Sequence, residues 1–348
     1  MKDSSENRLE RYPSFDGLRA YSAIGIVMMH VLLNLKSFDT DTLAGSPWLF
    51  RTFLPSLGGL VFLFMMVSAF SMCCGYYERF RNRAIDLNDF YRKRYARVLP
   101  FFALLVLIDV LLNPSLAALY EGFADVTLVF GLLPDANISV IGVGWFLGTI
   151  FVFYMLFPFF VFLLNGKGRA WLAFAVSIAM HFLATGYFSK NHPAGSYNIV
   201  YSAPFFFAGG LIYLYRDLLK GWKGMRVLAP VAAIALSVLI YVLPELPLIS
   251  KLLVFASWTV VAVVLMDRKS LLNDKFVHFI SGISMEVYLC HMLFFRLVEK
   301  CRLESFIPNP YVQYVLYLFL TLAGAIVFSW VIKYKVFPLL PFLKPKES

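Results

Sequence analysis

The sequence predicts an all-α integral membrane protein with about ten transmembrane helices, one short re-entrant or interfacial helix, and both termini in the cytoplasm. Two observations predict this fold class. Of the 348 residues, 60% are apolar and only 15% are charged, whereas soluble domains average about half apolar and about a quarter charged. The apolar residues are also gathered in runs of about 15–20, close to the length that a helix needs to cross roughly 30 Å of hydrocarbon.

Ten apolar runs are long enough to form membrane helices, and they are too long and too numerous for buried strands. The predicted helices are Leu18–Leu35, Leu54–Tyr76, Val98–Leu112, Trp145–Leu164, Ala170–Tyr187, Tyr201–Tyr215, Val227–Leu243, Leu252–Met266, Phe276–Leu297 and Tyr314–Tyr334. An eleventh run, Gly122–Leu133, is short and contains Asp125. The polar start of the chain predicts a cytoplasmic tail rather than a cleavable signal peptide.

Basic residues orient the predicted helices. Residues 79–97 include seven Lys or Arg residues, and the positive-inside rule places them in the cytoplasm. Since Val98–Leu112 then leaves the cytoplasm and Trp145–Leu164 returns to it, Gly122–Leu133 cannot cross and is predicted to lie at the outer side. The predicted divisions are a cytoplasmic N-terminal tail at 1–12, a transmembrane domain at 13–336 and a cytoplasmic C-terminal tail at 337–348.

The net charge of +10 is explained by basic cytoplasmic loops, so we expect contact with the lipid bilayer and not with nucleic acid. The sequence therefore predicts a multi-pass protein of the cell membrane. The spacing of Cys and His residues matches no metal site.

The first predicted helix carries ionisable groups, which are costly inside a membrane and therefore mark candidate functional sites. His30 follows Arg19 by eleven residues, which is about 16 Å and about three turns of helix. The two residues therefore share a face, with Arg19 near the cytoplasmic surface and His30 about mid-membrane. Asp16 can pair with Arg19 or cap the helix. His30 is either a catalytic group or a structural histidine hydrogen-bonded inside the bundle.

A second candidate site directly precedes the third predicted helix. Arg94 and Arg97 are three residues apart and fall on one helical face. The planar guanidinium suits phosphate oxygens, so the pair is a candidate site for a polyanionic ligand, with Arg92 and Lys93 as further candidates. The alternative is ordinary anchoring to anionic lipid.

A third candidate site lies in the ninth predicted helix. Ser284, Tyr288 and His291 follow i, i+4, i+7 spacing and so share a face. Catalysis, substrate binding and contacts between helices are all compatible with these residues, and the last is the commonest role of such side chains in membranes. Trp145, at the outer start of the fourth predicted helix, is either an interfacial anchor or a platform for substrate.

Four stretches occur in order along the chain: Ser14–Ala20, which is followed by His30; Phe62–Phe70, which includes Ser68; Arg94–Pro100; and Ser284–His291. Together they resemble the signature helices of the acyltransferase 3 family of membrane-bound acyltransferases, which O-acylate glycans and other extracytoplasmic acceptors. The resemblance includes the spacing from arginine to histidine in the first helix and the paired arginines.

The chain departs from the family pattern in two places. Ala69 stands where glycine is usual, and Trp145–Ile150 replaces the Trp-Ser-Leu-Ser-x-Glu stretch of many members. Because Ile150 takes the carboxylate position, the acceptor class stays open. We also expect no fused hydrolase-like domain, which some members carry.

The resemblance implies an O-acyltransferase, most simply an O-acetyltransferase, that uses cytoplasmic acetyl-CoA or another acyl-CoA as co-substrate and binds no cofactor. The acceptor is then a hydroxyl of an extracytoplasmic glycan, such as a polysaccharide, or of a similar molecule. The implied site consists of His30 as general base or acyl carrier, Asp16 and Arg19 at the entrance, Arg92, Lys93, Arg94 and Arg97 on the CoA phosphates, and Ser68, Trp145, Ser284, Tyr288 and His291 as supporting residues.

Two other classes remain open. Intramembrane His and Arg also suit a transporter or flippase of a glycan precursor or small molecule, although no internal repeat pairs the two halves as in many transporters. A non-catalytic membrane scaffold is the third class. Labelled acetyl-CoA separates the three, because only an enzyme transfers the label.

Overall fold

The structure, a computed structural model, describes residues 12–133, 139–188, 198–242, 247–266 and 270–340. Within these ranges all regular structure is helical, which confirms the all-α prediction. The helices are α1 (Ser14–Asn34), α2 (Thr40–Gly45), α3 (Leu54–Ser56), α4 (Leu60–Arg81), α5 (Leu87–Leu112), α6 (Leu116–Thr127), α7 (Trp145–Met155), α8 (Phe157–Leu164), α9 (Lys167–Leu183), α10 (Ile199–Gly221), α11 (Met225–Val242), α12 (Pro247–Val264), α13 (Lys275–Gly282), α14 (Ser284–Glu299) and α15 (Pro310–Val331). Short 3-10 and π turns extend several of them.

The described helices include six that are long and apolar enough to cross a membrane, and the number rises to eight if each of two bent pairs is one span. The structure thus confirms a multi-pass membrane protein. The count of ten and the cytoplasmic termini stay predictions, and most of both predicted tails lies outside the described residues. All ten predicted runs are mainly helical over their described residues, but α11 is short for a span.

Two predicted spans are broken rather than continuous. The run Trp145–Leu164 divides into α7 and α8, which bend by 60°, and the run Phe276–Leu297 divides into α13 and α14, which bend by 70°. Pro158 lies in the first turn of α8, where its missing N–H and its ring favour a helix start over continuation. The second break falls between Gly282 and Ser284 and places the start of α14 beside α1.

Helix α5 begins at Leu87, eleven residues before the predicted start at Val98. The reason is a cap: the Asp86 carboxylate accepts hydrogen bonds from the backbone N–H groups of Asn88 and Asp89. The basic residues from Arg92 to Arg97 therefore lie on the first three turns of the helix itself. Arg94 and Arg97 are fixed on one helical face, as predicted, because they are part of a helix rather than of a loop.

Helix α1 is the central helix of the bundle, and its side chains are buried against α4, α12, α13, α14 and α15. Of its span, 67% is buried within the protein, more than for the other five unbroken spans of the described residues. Charged side chains are costly in contact with lipid, so a helix that carries them is stable where they face other helices. The packing therefore puts the charged residues of α1 inside the protein.

Gly17 lets the N-terminal turn of α1 approach the segment before α13. A Cβ at Gly17 would lie 2.5 Å from Leu272 Cα and 2.6 Å from Leu272 O. We expect Gly17→Ala to destabilise the protein by about 1–3 kcal/mol, the usual range for overpacking, and to lower the midpoint of thermal unfolding in detergent. Gly75→Ala in α4 is the matched control, since its Cβ would meet nothing within 4 Å. Equal midpoints for the two variants would contradict the close approach.

The run Gly122–Leu133 covers the second half of the twelve-residue helix α6, which begins six residues earlier, and a 3-10 turn at Phe130–Leu132. Helix α6 packs on α5 and is not among the helices long enough to span. A short helix in this run is thus confirmed, whereas its failure to cross the membrane stays a prediction. Its position at the outer surface stays a prediction.

Candidate active site

The cytoplasmic-side end predicted for α1 carries a network centred on Asp16. Arg19 Nη1 lies 3.3 Å from Asp16 Oδ1, so the predicted pairing is confirmed. Pro13 occupies the N-cap position, so Asp16 does not cap the helix. Asp16 Oδ1 also accepts a hydrogen bond from Ser281 Oγ at 3.0 Å, and Oδ2 lies 2.8 Å from His278 Nδ1. The carboxylate therefore joins α1 to α13.

Arg19 extends from this network into a cavity of about 390 Å³. Arg19 Nη2 donates a hydrogen bond to Ser71 Oγ of α4. We call this space the arginine cavity. Its lining includes Asp16, Arg19, Ser68, Arg94, Arg97, Ile150, His278, Ser284, Tyr288 and Lys333. Seven of the predicted site residues, carried by four helices that are widely separated in sequence, therefore meet in one place.

The arginine pair of α5 lines this cavity. Arg94 donates to Tyr76 Oη at 2.7 Å, and its guanidinium carbon lies 4.9 Å from the centre of the Tyr76 ring. Its Nε is buried without a hydrogen-bond partner in the described part of the chain. Arg97 is exposed, and neither arginine forms an ion pair with a carboxylate of the described residues. The pair presents two positive charges that the surrounding described residues do not neutralise.

Arg92 and Lys93 have a different position. Both are exposed and neither lines the arginine cavity. Arg92 pairs with Asp89 at 2.8 Å on the outside of α5. The structure therefore brings Arg94 and Arg97 to the site but leaves their two basic neighbours on the surface.

Lys333, which lies just after α15, also lines the arginine cavity. Lys333 Nζ donates to Glu286 Oε1 and to the carbonyl oxygen of Gly282, both at 2.6 Å. The Glu286 side chain is 5% exposed, and a buried carboxylate needs such a partner. This ion pair holds the residues after α15 against the break between α13 and α14.

A second cavity, of about 1030 Å³, enters from the other end of α1. Its lining residues include His30, Asn34, Asp109, Asn113, Trp145, Arg296 and Lys300. We call it the histidine cavity. Because it combines amide, acidic and basic groups with one indole ring, it suits a polar ligand that presents several hydroxyl groups.

The segment leading to Trp145 is tied to α6. Glu121 Oε2 accepts hydrogen bonds from Ser139 Oγ at 2.6 Å and from the backbone N–H groups of Ser139 and Val140 at 2.8 and 3.0 Å. The hydroxyl of Ser139, with these N–H groups, holds the pKa of Glu121 below its usual value. The carboxylate thus fixes the chain at the rim of the histidine cavity.

His30 and His291 are in direct contact. His30 Nδ1 lies 2.8 Å from His291 Nε2, and His291 Nδ1 lies 2.6 Å from the carbonyl oxygen of Tyr288. The planes of the imidazole rings are within 14° of each other. His291 is fully buried, whereas His30 lines the histidine cavity. The predicted sites on α1 and α14 are therefore one site.

Three aromatic rings pack together in the wall of the arginine cavity, and one of them is hydrogen-bonded to the lining of the histidine cavity. Phe64, Phe146 and Tyr288 have ring centres 5.8–6.4 Å apart, and all three line the arginine cavity. Tyr288 Oη donates to the carbonyl oxygen of Val143 at 2.7 Å, and Val143 lines the histidine cavity. We call these rings the aromatic partition.

The remaining predicted residues lie on the arginine side. Ser68 lines the cavity, as does Ser284, whose Oγ donates to the carbonyl oxygen of Ser281 at 3.0 Å. Ile150, at the position where many family members carry Glu, is buried and also lines the arginine cavity. The presence of Ile instead of Glu at this position therefore removes a negative charge from the arginine cavity and not from the histidine cavity.

Several residues of the site were not predicted from sequence. The clearest are His278, Glu286 and Lys333, which all line the arginine cavity. All three are ionisable residues in or beside apolar runs, which is a signal available in the sequence. Ser71, Tyr76 and Phe146 carry no such signal, because hydroxyl and aromatic side chains are common in membrane helices. In the described part of the chain no three His, Cys, Asp or Glu residues are grouped to hold a metal ion.

The fold and this site define a multi-pass membrane protein with a basic cavity, a polar cavity and a histidine pair between them. A family model described as "Acyltransferase domain" matches residues 12–331. Since this is nearly the whole chain, the protein belongs to that family of membrane acyltransferases. The resemblance stated from the sequence motifs is confirmed.

Two known proteins are similar to this chain. "Putative membrane-bound acyltransferase YfiQ" of Bacillus subtilis (strain 168) is 25% identical over 335 residues, covering 90% of this chain and 89% of that protein. "Acyltransferase MdmB" of Streptomyces mycarofaciens is 28% identical over 203 residues, covering 54% of this chain and 49% of that protein. No solved structure gives a significant match. The matches support an acyltransferase and give no support to a transporter.

Proposed function

We propose that this protein transfers an acyl group, most simply acetyl, from cytoplasmic acyl-CoA to a hydroxyl of an extracytoplasmic glycan or similar acceptor. One observation carries the proposal. Tyr288, His291 and His30 contact one another in that order, and a separate cavity lies at each end of the series. Tyr288 lines the arginine cavity, and His30 lines the histidine cavity. A group transfer between two ligands that enter from opposite sides of a membrane needs this arrangement.

The donor enters the arginine cavity in this proposal. CoA carries several phosphates, and Arg94 and Arg97 supply two cations that no described carboxylate neutralises. Arginine binds phosphate with paired hydrogen bonds. The basic segment 79–97 makes this the cytoplasmic end by the positive-inside rule, which is also the side where CoA is found. The pantetheine arm then passes Arg19 towards the aromatic partition.

The acceptor enters the histidine cavity. Its volume of about 1030 Å³ is at the upper end of the range for small-molecule sites, roughly 300–1,000 Å³, and is large enough for one or more sugar rings. Asn34, Asn113 and Asp109 offer hydrogen-bonding groups, and Trp145 offers a flat apolar face. This combination suits the polar edges and apolar faces of a sugar.

His30 acts at the junction as general base. It removes the proton of the acceptor hydroxyl, the oxygen attacks the thioester carbonyl, the C–S bond breaks, and the proton passes from His30 to the departing thiolate. The products are an ester and free CoA. The alternative is a covalent acyl-histidine, in which His30 attacks the thioester first and the hydroxyl attacks the acyl-imidazole second. In both cases Asp16 and Arg19 hold the entrance in shape, and the protein acts in the cell membrane.

The test uses membranes of the source organism that lack the chromosomal copy and carry the gene on a plasmid. With radiolabelled acetyl-CoA supplied to the cytoplasmic face, we expect label in the glycan fraction and free CoA in equal amounts. Membranes with the empty plasmid should give neither product. Free CoA without labelled acceptor would contradict acyl transfer, and so would movement of an intact substrate across the membrane without acylation.

The aromatic partition gives a further prediction. Phe146→Ala removes one of its three rings and joins the two cavities, so water reaches the thioester. We expect hydrolysis of acetyl-CoA to acetate to rise about 10-fold relative to transfer. The matched control is Phe159→Ala, because the Phe159 ring is 60% exposed on the outside of α8. A ratio of hydrolysis to transfer unchanged in Phe146→Ala would show that the rings do not separate donor and acceptor.

A further inference from the structure

The contact between His30 and His291 determines which ring nitrogen of His30 is free to react. His30 Nδ1 is engaged with His291 Nε2 at 2.8 Å. His30 also lines the histidine cavity. Its other ring nitrogen, Nε2, is therefore the one available to a ligand in that cavity. Whether Nε2 is a base or a proton donor depends on the tautomer, and the neighbours of His291 decide the tautomer.

The proton on His291 is fixed by the backbone. His291 Nδ1 lies 2.6 Å from the carbonyl oxygen of Tyr288, and a carbonyl oxygen can only accept a hydrogen bond. Nδ1 of His291 must therefore carry a proton. His291 is 0% exposed, and none of the described carboxylates contacts it. An unpaired charge is costly in such a place, so His291 is neutral and its Nε2 has a lone pair.

This lone pair fixes the proton on His30. Since His291 Nε2 accepts, His30 Nδ1 must donate, and a neutral His30 then has no proton on Nε2. The opposite arrangement requires His291 to donate from Nε2. In that case either its Nδ1 lone pair faces the Tyr288 carbonyl oxygen at 2.6 Å, or the fully buried ring carries a second proton. Both are unfavourable.

We infer that His291 is a positioning residue that holds His30 in the Nδ1–H tautomer and so leaves Nε2 as the reactive nitrogen. The inference rests on the proposed acyl transfer for its consequence but not for its geometry. The proton of the acceptor hydroxyl moves to His30 Nε2, and the resulting imidazolium keeps its Nδ1–H bond to His291. The same proton then leaves with the CoA thiolate, so His291 gains and loses none. An orienting group has this role beside the histidine of a catalytic triad.

The first test reads the tautomer in the resting protein, without donor or acceptor. The chain has five histidines, so nitrogen NMR of the histidine-labelled protein in nanodiscs gives few signals, and His30→Ala and His291→Ala assign two of them. We expect a protonated Nδ1 and an unprotonated Nε2 for His30. A proton on His30 Nε2 would overturn the inference, whatever the protein catalyses.

The second test replaces His291 in two ways. His291→Leu fills the same space with an apolar side chain that cannot accept a hydrogen bond from His30 Nδ1. His30 then returns to the Nε2–H tautomer that free imidazole side chains prefer. We expect label transfer from acetyl-CoA at saturating donor to fall on the order of 10²–10⁴-fold, the usual contribution of a general base, with the KM for acetyl-CoA unchanged. His291→Gln places an amide oxygen where Nε2 was and should restore both the His30 tautomer and most of the rate.

The outcomes separate this inference from the proposed function. If the wild-type tautomer is as expected but no membrane transfers label, the proposed function fails and the positioning role of His291 remains. If label is transferred but His291→Gln and His291→Leu are equally slow with an unchanged His30 tautomer, the residue is only structural and the inference fails.

Discussion

Replacing His30 by alanine is expected to reduce acyl transfer by about 10²–10⁴-fold, the usual contribution of a general base. If His30 instead carries the acyl group, the loss is at least as large, because no intermediate forms. The reason is positional: His30 lines the histidine cavity and contacts His291, which adjoins the aromatic partition. The measurement is label from radiolabelled acetyl-CoA in the glycan fraction of complemented membranes, normalised to the amount of protein in the membrane.

His181→Ala is the matched control for this experiment. His181 lies at the end of α9, where its Nδ1 is 3.3 Å from the carbonyl oxygen of Tyr201, and it lines neither cavity. The control should retain the wild-type rate and the wild-type protein level. Full activity in His30→Ala at normal protein level would remove His30 from the reaction and leave it as a structural histidine.

Neutralising both arginines of α5 should give the second large effect. For the double variant Arg94→Gln/Arg97→Gln, we expect the KM for acetyl-CoA to rise by on the order of 10²-fold or more, since each hydrogen bond between charged groups contributes about 1.5–3 kcal/mol. The rate at saturating donor should change less. The wild-type KM should also rise with salt, and this dependence should weaken in the variant because fewer charges are screened.

The single variant Arg97→Gln tests donor binding with less disturbance of packing than the double variant. Arg94 also donates to Tyr76 and Met72, so its loss disturbs packing, whereas Arg97 is exposed. Arg81→Gln is the matched control, because Arg81 belongs to the same basic segment but pairs with Glu78 outside the arginine cavity. If donor affinity and its salt dependence are the same in all variants, the arginine pair only anchors the protein at the membrane surface.

The secondary structure of this protein was largely predictable, because it is a local property. A run of apolar residues about 20 long has few folds available in a bilayer other than a helix, and every predicted run is mainly helical over its described residues. The breaks were missed for a physical reason. A proline or a glycine within an apolar run lowers the preference for a continuous helix only modestly, and neighbouring helices decide whether the chain bends there.

The candidate site was predictable in its parts. Spacing placed Arg94 and Arg97 on one face and paired Asp16 with Arg19, because contacts three or four residues apart follow from helix geometry. The same reasoning could not separate Arg92 and Lys93 from the site. They lie beside the arginine pair in sequence, but only the direction in which α5 packs shows that they face away from the cavity.

The sequence by itself thus determined a helical membrane protein, the residues that share a face on each helix, and the family to which these motifs belong. Only the tertiary structure decided which faces meet. His30 contacts a histidine 261 residues away, and Asp16 contacts one 262 residues away. Such contacts depend on how helices pack around α1, and packing energy is spread over many weak contacts that no local pattern records. That packing makes a charged helix and a late Ser/Tyr/His helix into one site between two cavities.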